Sequence, residues 1–354
     1  MGARHAAGPI RQLVERLGAR VMCSPRAKGI FPEDHPQFMG VTGLGGHTRV
    51  DSILAAERPR HTLVLGTRMG ESTSFWAPEL TPSHAFLHVD ADPAAFGVAY
   101  PDVRTEAVVA DIGAYVTELV DALGPRPTGV HEPQHPASIV VPSLGARLEP
   151  RHDGAVRPRY LLEEVQRLIV DGSDAWLMAE SGNAFCWATH YLRFREPNRY
   201  RVSTGFGSMG HATTGVVGAA AARKGKAVAL VGDGAMMMMN EVHSSVQYQA
   251  DALWIVLNDA CYLMCAQGMQ MMGWKPFSCD LPRVDFVALA RAVGADGENV
   301  RTEEQVVGAL ERALRARGPW VLDVTLDPRE SPPSGRRNKS LMQQGFGDVT
   351  PGRA

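Results

Sequence analysis

The chain has 354 residues, room for two ordinary domains, and its hydrophobic content of 45% and charged content of 21% are those of a globular protein with a sizeable core. A net charge of −2 gives no reason to expect a nucleic acid or an anionic membrane as partner, and no apolar run is long enough to span a membrane. The five cysteines are sparse and odd in number, which favours a reducing cytoplasm over a disulfide framework.

The first third of the chain alternates between helical and extended patterns. The segment "PIRQLVERLGA" predicts an amphipathic helix, and "RVMCS" predicts a short strand that leads into a loop rich in Pro and Gly. Two further strands are predicted at "HTLVLGTRMG" and "AFLHVDADP", followed by a helix at "IGAYVTELVDAL". Strands that alternate with helices indicate a parallel, doubly wound sheet.

The same alternation resumes after a segment rich in Pro and Gly. We predict a first domain over residues 1–124, a linker over 125–157, a second domain over 158–330 and a polar tail over 331–354 that is too polar for core. The second domain begins with a helix at "LLEEVQRLIV" and a strand at "AWLMAE". A Gly-rich turn, an Ala-rich helix and the strands "KAVALVGDG", "ALWIVLND" and "PWVLDVTL" follow. The predicted fold class is α/β, with two doubly wound parallel-sheet domains.

Two strands of the second domain are each followed by a carboxylate, Asp233 and Asp259, with one crossover helix predicted between them. Ligands of open parallel sheets lie at the carboxyl ends of the strands. Two carboxylates brought together there repel unless a cation or a proton separates them, and Mg²⁺ takes one or two carboxylates plus phosphate oxygens and water. Flanking glycines admit a ligand, and the start of the next helix favours phosphate. The stretch therefore predicts a Mg²⁺-diphosphate anchor.

Other interpretations of these residues remain open. Asp233 could cap a helix and Asp259 could be a surface turn residue, while the four methionines after Asp233 are expected as helix core. The segment "GFGSMG" (205–210) matches a dinucleotide-binding fingerprint, with Asp233 about 20 residues further on, but "NRYRVST" before it is a poor buried strand. Cys261 and Cys265 could share a helix face as thiolate ligands, but no further ligand stands at zinc spacing.

Several motifs, in order, resemble the thiamine-diphosphate-dependent acetohydroxyacid synthases and related 2-keto acid decarboxylases and carboligases. Gly-Asp-Gly followed by Asn-Asp after the next strand is similar to their cofactor motif, and "GFGSMGHATTGVVGAAAA" is similar to their Gly-x-Met-Gly segment. The segments "KGIFPEDHPQFMGVTGLGG", "LVLGTRMGE" and "LHVDADP" are similar to their central domain. The resemblance covers nearly the whole chain and implies a central domain followed by a diphosphate-binding domain.

The resemblance implies roles for particular residues. Asp233, Asp259 and the backbone carbonyl of Cys261 would hold Mg²⁺, although many relatives carry Asn in place of Asp259. The Gly207 carbonyl would accept a hydrogen bond from the cofactor's aminopyrimidine, and Met209 would hold the cofactor bent. Together with these residues, the implied cofactor contacts are Gly182, Asn183, Ser208, Gly232, Gly234 and Ala235, and the implied catalytic residues are Met209, His211, Met264 and Gln267.

Some polar residues near these motifs have no single interpretation. His211 could act as an acid or base or be structural, whereas a structural role is favoured for His243. Glu180 stands at a strand's carboxyl end, where a functional and a turn role are equally compatible with the sequence. The tail residues Arg336, Arg337 and Lys339 could close over a site, but solvated charge is the favoured interpretation.

Members of this family usually carry a third, pyrimidine-binding domain, whose glutamate drives activation of the cofactor. This chain begins in a segment that resembles the central domain just after its first Gly-rich strand. We therefore expect one half of a split enzyme, in a dimer of heterodimers whose partner chain supplies the glutamate; a truncated sequence explains the same start. Relatives of this type bind FAD in the central domain, but the second arginine expected after "GTR" is missing, so FAD is not expected.

The implied activity is decarboxylation of a 2-keto acid, with pyruvate as a candidate, and transfer of the acyl unit to a carbonyl acceptor. One alternative is a simple decarboxylase that releases an aldehyde. The other is a non-catalytic scaffold subunit, against which the intact Gly-Asp-Gly and Asn-Asp pair argues, since a scaffold needs neither acid. The sequence leaves the donor and the acceptor undefined.

Overall fold

The computed structural model describes residues 2–124, 147–238 and 241–346. The chain divides into two compact units, of which the first comprises Met1–Pro142 with Arg193–Asn198 and the second Ser143–Leu192 with Arg199–Ala354. Most of the predicted linker, and the end of the predicted tail, lie outside the described residues. In the described ranges, no helix is long and apolar enough to cross a membrane.

The first unit contains two small parallel sheets. One pairs β1 with β2 and the other has the order β3-β4-β5. Its strands are β1 (Val21–Cys23), β2 (Phe38–Val41), β3 (His61–Leu65), β4 (Ala85–Asp90) and β5 (Thr105–Val109), and its helices are α1 (Ala7–Leu17), α2 (Thr48–Ala56), α3 (Glu71–Ser74) and α4 (Ile112–Leu123). Helix α4 begins where Asp111 accepts a hydrogen bond from the Ala114 N–H, a normal N-cap.

The second unit is built on a six-stranded parallel sheet of order β10-β11-β9-β8-β6-β7. Its strands are β6 (Trp176–Ala179), β7 (Tyr200–Val202), β8 (Ala227–Gly232), β9 (Ala252–Asn258), β10 (Asp296–Val300) and β11 (Trp320–Thr325). Its helices are α5 (Pro158–Val165), α6 (Asn183–Tyr191), α7 (His211–Arg223), α8 (Asp233–Met236), α9 (Glu241–Tyr248), α10 (Leu263–Met271), α11 (Phe286–Ala292), α12 (Glu303–Arg315) and α13 (Gly335–Leu341).

The centre of this sheet carries the core of the second unit. Every residue of β9 is buried, and so are the first five of β8, because helices cover both faces of the sheet. The two strands are neighbours in register, with Gly232 paired to Leu257. Asp233 and Asp259 therefore follow adjacent strands, and the prediction that these two acids lie at one edge of the sheet is confirmed.

Two predictions about this unit are wrong. The single crossover helix expected after Asp233 is divided into α8, of only four residues, and α9, so the helix dipole at the anchor is weaker than one long helix would provide. The tail was expected outside the core, but it forms α13, in which Asn338 is 3% exposed and donates to the Met271 sulfur at 2.8 Å. Polar side chains are buried here because they have hydrogen-bond partners.

Candidate active site

The predicted site residues cluster around the carboxyl ends of β6, β8 and β9, the neighbouring central strands of the second unit. Gly182 and Asn183 start α6 after β6, and residues 207–211 lead from β7 into α7. Gly232 ends β8, and residues 233–235 form the short α8. Asp259 and Cys261 follow β9, and Met264 and Gln267 lie on α10. The sheet thus brings together segments that are far apart in the chain.

Asp233, which is buried, and Asp259, which is half-buried, form a pair of like charges. The Asp233 carboxylate accepts hydrogen bonds from the Gly234 N–H at 2.7 Å and the Cys261 N–H at 3.2 Å, which ties the end of β8 to the residues after β9. Burial raises the pKa of Asp233. Burial and then the charge of Asp233 raise the pKa of Asp259 to about 7, and one Asp259 oxygen is buried without a hydrogen-bond partner. Such a pair is unfavourable unless a cation or a proton separates the two carboxylates.

The pair fits a hard divalent cation with oxygen ligands. In the part of the chain that the structure describes, no three side chains of His, Cys, Asp or Glu are grouped as metal ligands. Two carboxylates completed by a backbone carbonyl, water and ligand phosphate suit Mg²⁺, which rarely uses an all-protein cage. The five cysteines are free thiols, and burial raises the pKa of the Cys261 thiol to about 11, so this side chain is not a thiolate at neutral pH.

Glu180 anchors the start of α7. Its fully buried carboxylate accepts hydrogen bonds from the backbone N–H groups of Ala212 and Thr213, each at 2.9 Å, and from the Thr213 hydroxyl at 3.0 Å. The Ser181 N–H donates to its other oxygen at 2.8 Å. A carboxylate at a helix N-terminus accepts hydrogen bonds from the N–H groups that have no partner within the helix, and its negative charge interacts favourably with the positive end of the helix dipole. Glu180 therefore positions the Gly-rich segment before α7 and is not a turn residue.

The Gly-rich segment before α7 presents open backbone to solvent. Gly207 has φ +72° and Gly210 has φ +97°, conformations that favour glycine, and a Cβ on Gly207 would meet no atom within 4 Å. The Gly207 carbonyl, which the resemblance assigns to the cofactor, accepts a hydrogen bond from the Ser181 hydroxyl at 2.6 Å. A carbonyl has two lone pairs, so this bond holds the carbonyl in place and leaves one acceptor site.

Asn183 and Gln267 meet although they are 84 positions apart. The Asn183 side-chain N–H donates to the Gln267 carbonyl oxygen at 3.1 Å. The other polar atom of each amide is buried and has no hydrogen-bond partner among the described residues. Unsatisfied buried polar atoms are costly, so this pair is prepared for a polar ligand.

Several of the predicted site residues form no hydrogen bond with the two carboxylates in the described part of the chain. Among the described residues, no hydrogen bond links Ser208, Met209, His211 or Met264 to Asp233 or Asp259. Met209 is 43% exposed, and His211 and His243 are exposed on α7 and α9. Met236 is buried as predicted for the methionine run, but Met237 and Met238 are about half exposed, so the core prediction is wrong for these two. The fourth methionine of the run, Met239, lies outside the described residues.

Two residues near the carboxylates were missed by the sequence analysis. The Tyr262 ring lies so close to Gly234 that a Cβ there would stand 2.5 Å from a ring carbon, so a larger residue would require this partly exposed ring to move. Burial raises the pKa values of Asp233 and Asp259, and the positive charge of Arg283 reduces this rise. Neither residue belongs to a recognisable motif, and only the folded chain brings them to the site.

Comparison with protein families gives two matches that cover most of the chain. The central domain of thiamine pyrophosphate enzymes matches residues 1–119. The C-terminal TPP binding domain of the same enzymes matches residues 180–324. The second match contains the whole cluster of segments around Asp233 and Asp259.

Several curated proteins with similar sequences are named as acetolactate synthases. A putative acetolactate synthase large subunit of Mycobacterium tuberculosis is 31% identical over 330 residues, which are 90% of this chain and 57% of the relative. An acetolactate synthase of Mycobacterium bovis is 28% identical over 375 residues, 98% of this chain and 58% of the relative. The isozyme 2 large subunit of Escherichia coli is 24% identical over 354 residues, 97% and 62%. The chain thus spans little more than half the length of these relatives.

Proposed function

The chain belongs to the thiamine pyrophosphate enzymes, and from this premise we propose that it uses thiamine diphosphate and Mg²⁺ to decarboxylate a 2-keto acid and pass the acyl unit to a carbonyl acceptor. The observation that carries the proposal is the pair of Asp233 and Asp259, whose mutual repulsion a bound cation would relieve. Carboligation is preferred over simple aldehyde release because several of the similar curated proteins are named as acetolactate synthases.

The residues at the carboxyl edge of the sheet fit this cofactor. Asp233 and Asp259 would hold the ion, with the Cys261 carbonyl as a further ligand. The glycines 182, 207 and 232 have open space where a Cβ would stand, so a diphosphate could approach the backbone. The unpaired oxygen of Asn183 and the unpaired N–H group of Gln267 supply a further polar contact to a ligand.

The protein's contribution is binding and orientation. When bound, thiamine diphosphate supplies the nucleophilic carbon and the electron sink for decarboxylation. Glu180 and Ser181 fix the Gly207 carbonyl and the start of α7. Met209 lies just before this helix, and His211 is its first residue. A fixed carbonyl would hold the cofactor's amino group in one orientation, and a correctly placed group contributes far more than a mobile one.

We further propose that a partner subunit completes the site and supplies the glutamate that activates the pyrimidine ring. Large apolar side chains are exposed on the segments that carry the site residues or follow them: Phe206 is 96% exposed, Phe277 82%, and Met209, Met237 and Met238 about half. Exposed apolar groups gathered in this way are typical of a surface that another protein covers. This partner would bring the pyrimidine-binding domain of the family, in a dimer of heterodimers.

The test is an assay of pyruvate decarboxylation with thiamine diphosphate and Mg²⁺, with and without an acceptor aldehyde or keto acid. The chain is assayed alone and after co-expression with the protein encoded beside it. Turnover only with the partner, and a carboligation product only with the acceptor, is the expected result. Full turnover by the chain alone would refute the partner proposal. If calorimetry detects no binding of the cofactor, the enzyme proposal is refuted.

A further inference from the structure

A concave pocket of about 530 Å³ opens at the edge of the six-stranded sheet opposite to the candidate active site. Its walls come from the residues just before β6, β8 and β9 and from the ends of α7 and α12. Pockets of this size accommodate small molecules. Its lining is dominated by charge, with the basic residues Arg223, Lys224, Lys226, Arg315 and Arg317 and the acidic residues Asp174 and Asp251.

The positive charge of this pocket exceeds what its own structure needs. Five cations face two carboxylates, although the chain as a whole has a net charge of −2. Helices α7 and α12 end at Arg223 and Arg315, and each C-terminus carries roughly half a negative charge, which accounts for about one of the cations. A third carboxylate, Glu311, lies 3.9 Å from the Arg315 guanidinium just outside the pocket. About one positive charge therefore remains without compensation in a concave site, where the field is strongest.

The basic side chains are held in place by the fold but retain free donors. The Arg223 guanidinium is 2.7 Å from an Asp174 oxygen and lies over the Trp176 ring, yet its buried Nε has no hydrogen-bond partner among the described residues. The Lys226 ammonium donates to the Ala316 carbonyl at 2.6 Å and is partly buried. The Arg317 side chain, 3.4 Å from Asp251, is 91% exposed. Fixed donors with unused N–H groups are the usual elements of an anion site.

We propose that this pocket binds a small anion with two or more negative charges, of the phosphate-ester or polyphosphate class. Arginine forks and lysine ammonium groups together match the oxygens of phosphate groups. The site is small and concave, which suits a metabolite and not an extended nucleic acid or a membrane surface. It lies at the other end of the strands from Asp233 and Asp259, so the proposal does not depend on the proposed function.

Calorimetric titration of the full chain with inorganic triphosphate tests the site. EDTA is present, so that no divalent ion can recruit triphosphate to Asp233 and Asp259. Saturable binding at one site per chain is expected. The double variant Lys224→Glu/Arg317→Glu should weaken binding at least about tenfold, because both side chains are exposed and can change sign without loss of a core contact. The control Lys275→Glu/Arg301→Glu makes the same change of charge at exposed positions outside the pocket and should bind normally.

Trp176 supplies an independent readout, because it lies under the Arg223 guanidinium. Triphosphate should change the protein's fluorescence, and Trp176→Phe should abolish most of this change while calorimetric binding persists. The proposal is overturned if binding is not saturable, or if both charge-reversal variants weaken it equally. It is also overturned if the fluorescence change survives in Trp176→Phe.

Discussion

At the scale of single residues, the candidate active site contains three buried polar atoms that lack hydrogen-bond partners. One oxygen of Asp259, one of Asn183 and one nitrogen of Gln267 are buried and unpaired in the described chain. Native proteins leave few such atoms, because each costs about 1–3 kcal/mol. Such atoms also occur elsewhere among the described residues, for example in Thr62 and His88, but these three lie on segments that meet at one edge of one sheet. We infer that the protein gives up stability there in favour of a ligand.

Asp259→Asn tests this trade-off. Without ligand it should raise the unfolding midpoint, because it removes a charge that burial and Asp233 disfavour, with a gain of about 1 kcal/mol. A carboxyl whose pKa is higher in the folded than in the unfolded state destabilises the fold progressively as the pH rises above the unfolded pKa. The stability gained by Asp259→Asn should therefore be larger at pH 8 than at pH 5. Thermal unfolding at the two pH values measures it.

The controls for this experiment use neighbouring acids. Asp280→Asn changes an exposed carboxylate and should leave the midpoint unchanged. With Mg²⁺ and thiamine diphosphate at about 100 times Kd, the wild-type chain should gain about 2.7 kcal/mol, and Asp233→Asn should gain almost nothing. A lower midpoint for ligand-free Asp259→Asn would contradict the interpretation of the pair.

Glu180→Ala tests the anchoring of the Gly-rich segment. Loss of this carboxylate leaves the N–H groups of Ala212 and Thr213 unsatisfied, and we expect a loss of about 3 kcal/mol. Hydrogen exchange should quicken in residues 203–213 and remain slow in β9. Glu180→Gln retains an acceptor oxygen, so its exchange rates in residues 203–213 should lie between those of the wild type and those of Glu180→Ala. Equal quickening in β9 would mean that Glu180 supports the core in general and does not position this segment.

At the scale of elements, the apolar patterns predicted most of the central structure. The helix expected at "IGAYVTELVDAL" is α4, and the apolar runs before Asp233 and Asp259 are β8 and β9. Strand β10, "DGENV", was missed because it is a polar edge strand that pairs only with β11. Helix α13 was missed because the burial of Asn338 depends on a partner that only the fold supplies. The pairing of Asn183 with Gln267 was out of reach for the same reason.

Helix α12 is fixed at its start by an ion pair that should make it sensitive to acid. The fully buried Glu303 carboxylate is 2.7 Å from the Arg157 guanidinium and accepts from the Arg151 N–H at 2.8 Å. Burial opposes its ionisation, but these partners outweigh burial and lower the pKa of Glu303. The stabilisation is therefore present above the unfolded pKa of about 4.3 and is lost as pH falls through the folded value.

Glu303→Gln should consequently cost about 3 kcal/mol at pH 7 and much less near pH 3. Hydrogen exchange of the α12 amides at the two pH values measures this difference. Glu304→Gln is the matched control on the same turn, since Glu304 is about half exposed and pairs with a highly exposed His152. If the α12 amides are equally protected from exchange in both variants at pH 7, the buried ion pair does not stabilise the helix.

At the scale of the whole molecule, the two units are not two consecutive stretches of chain. Residues 193–198 follow α6 of the second unit but belong to the first. Within the first unit, the Phe194 carbonyl accepts from the Glu33 N–H at 3.2 Å, and the Phe194 ring lies 5.9 Å from the ammonium of Lys28, which forms a fully buried ion pair with Glu33. The sequence placed this segment inside a domain of residues 158–330, because no composition change marks it.

Phe194→Ala tests this division of the chain. Phe194 is 1% exposed, so its truncation should cost about 3–5 kcal/mol, and the loss should fall on the first unit. Hydrogen exchange should quicken in β1 and β2 and change little in β6. Phe185→Ala is the matched control, because Phe185 is equally buried only nine positions earlier but belongs to the second unit. That variant should quicken exchange in β6 and spare β1 and β2. If both variants quicken exchange in the same strands, the segment 193–198 does not belong to the core of the first unit. The effect of a truncation would then depend on its position in the sequence and not on the unit it packs in.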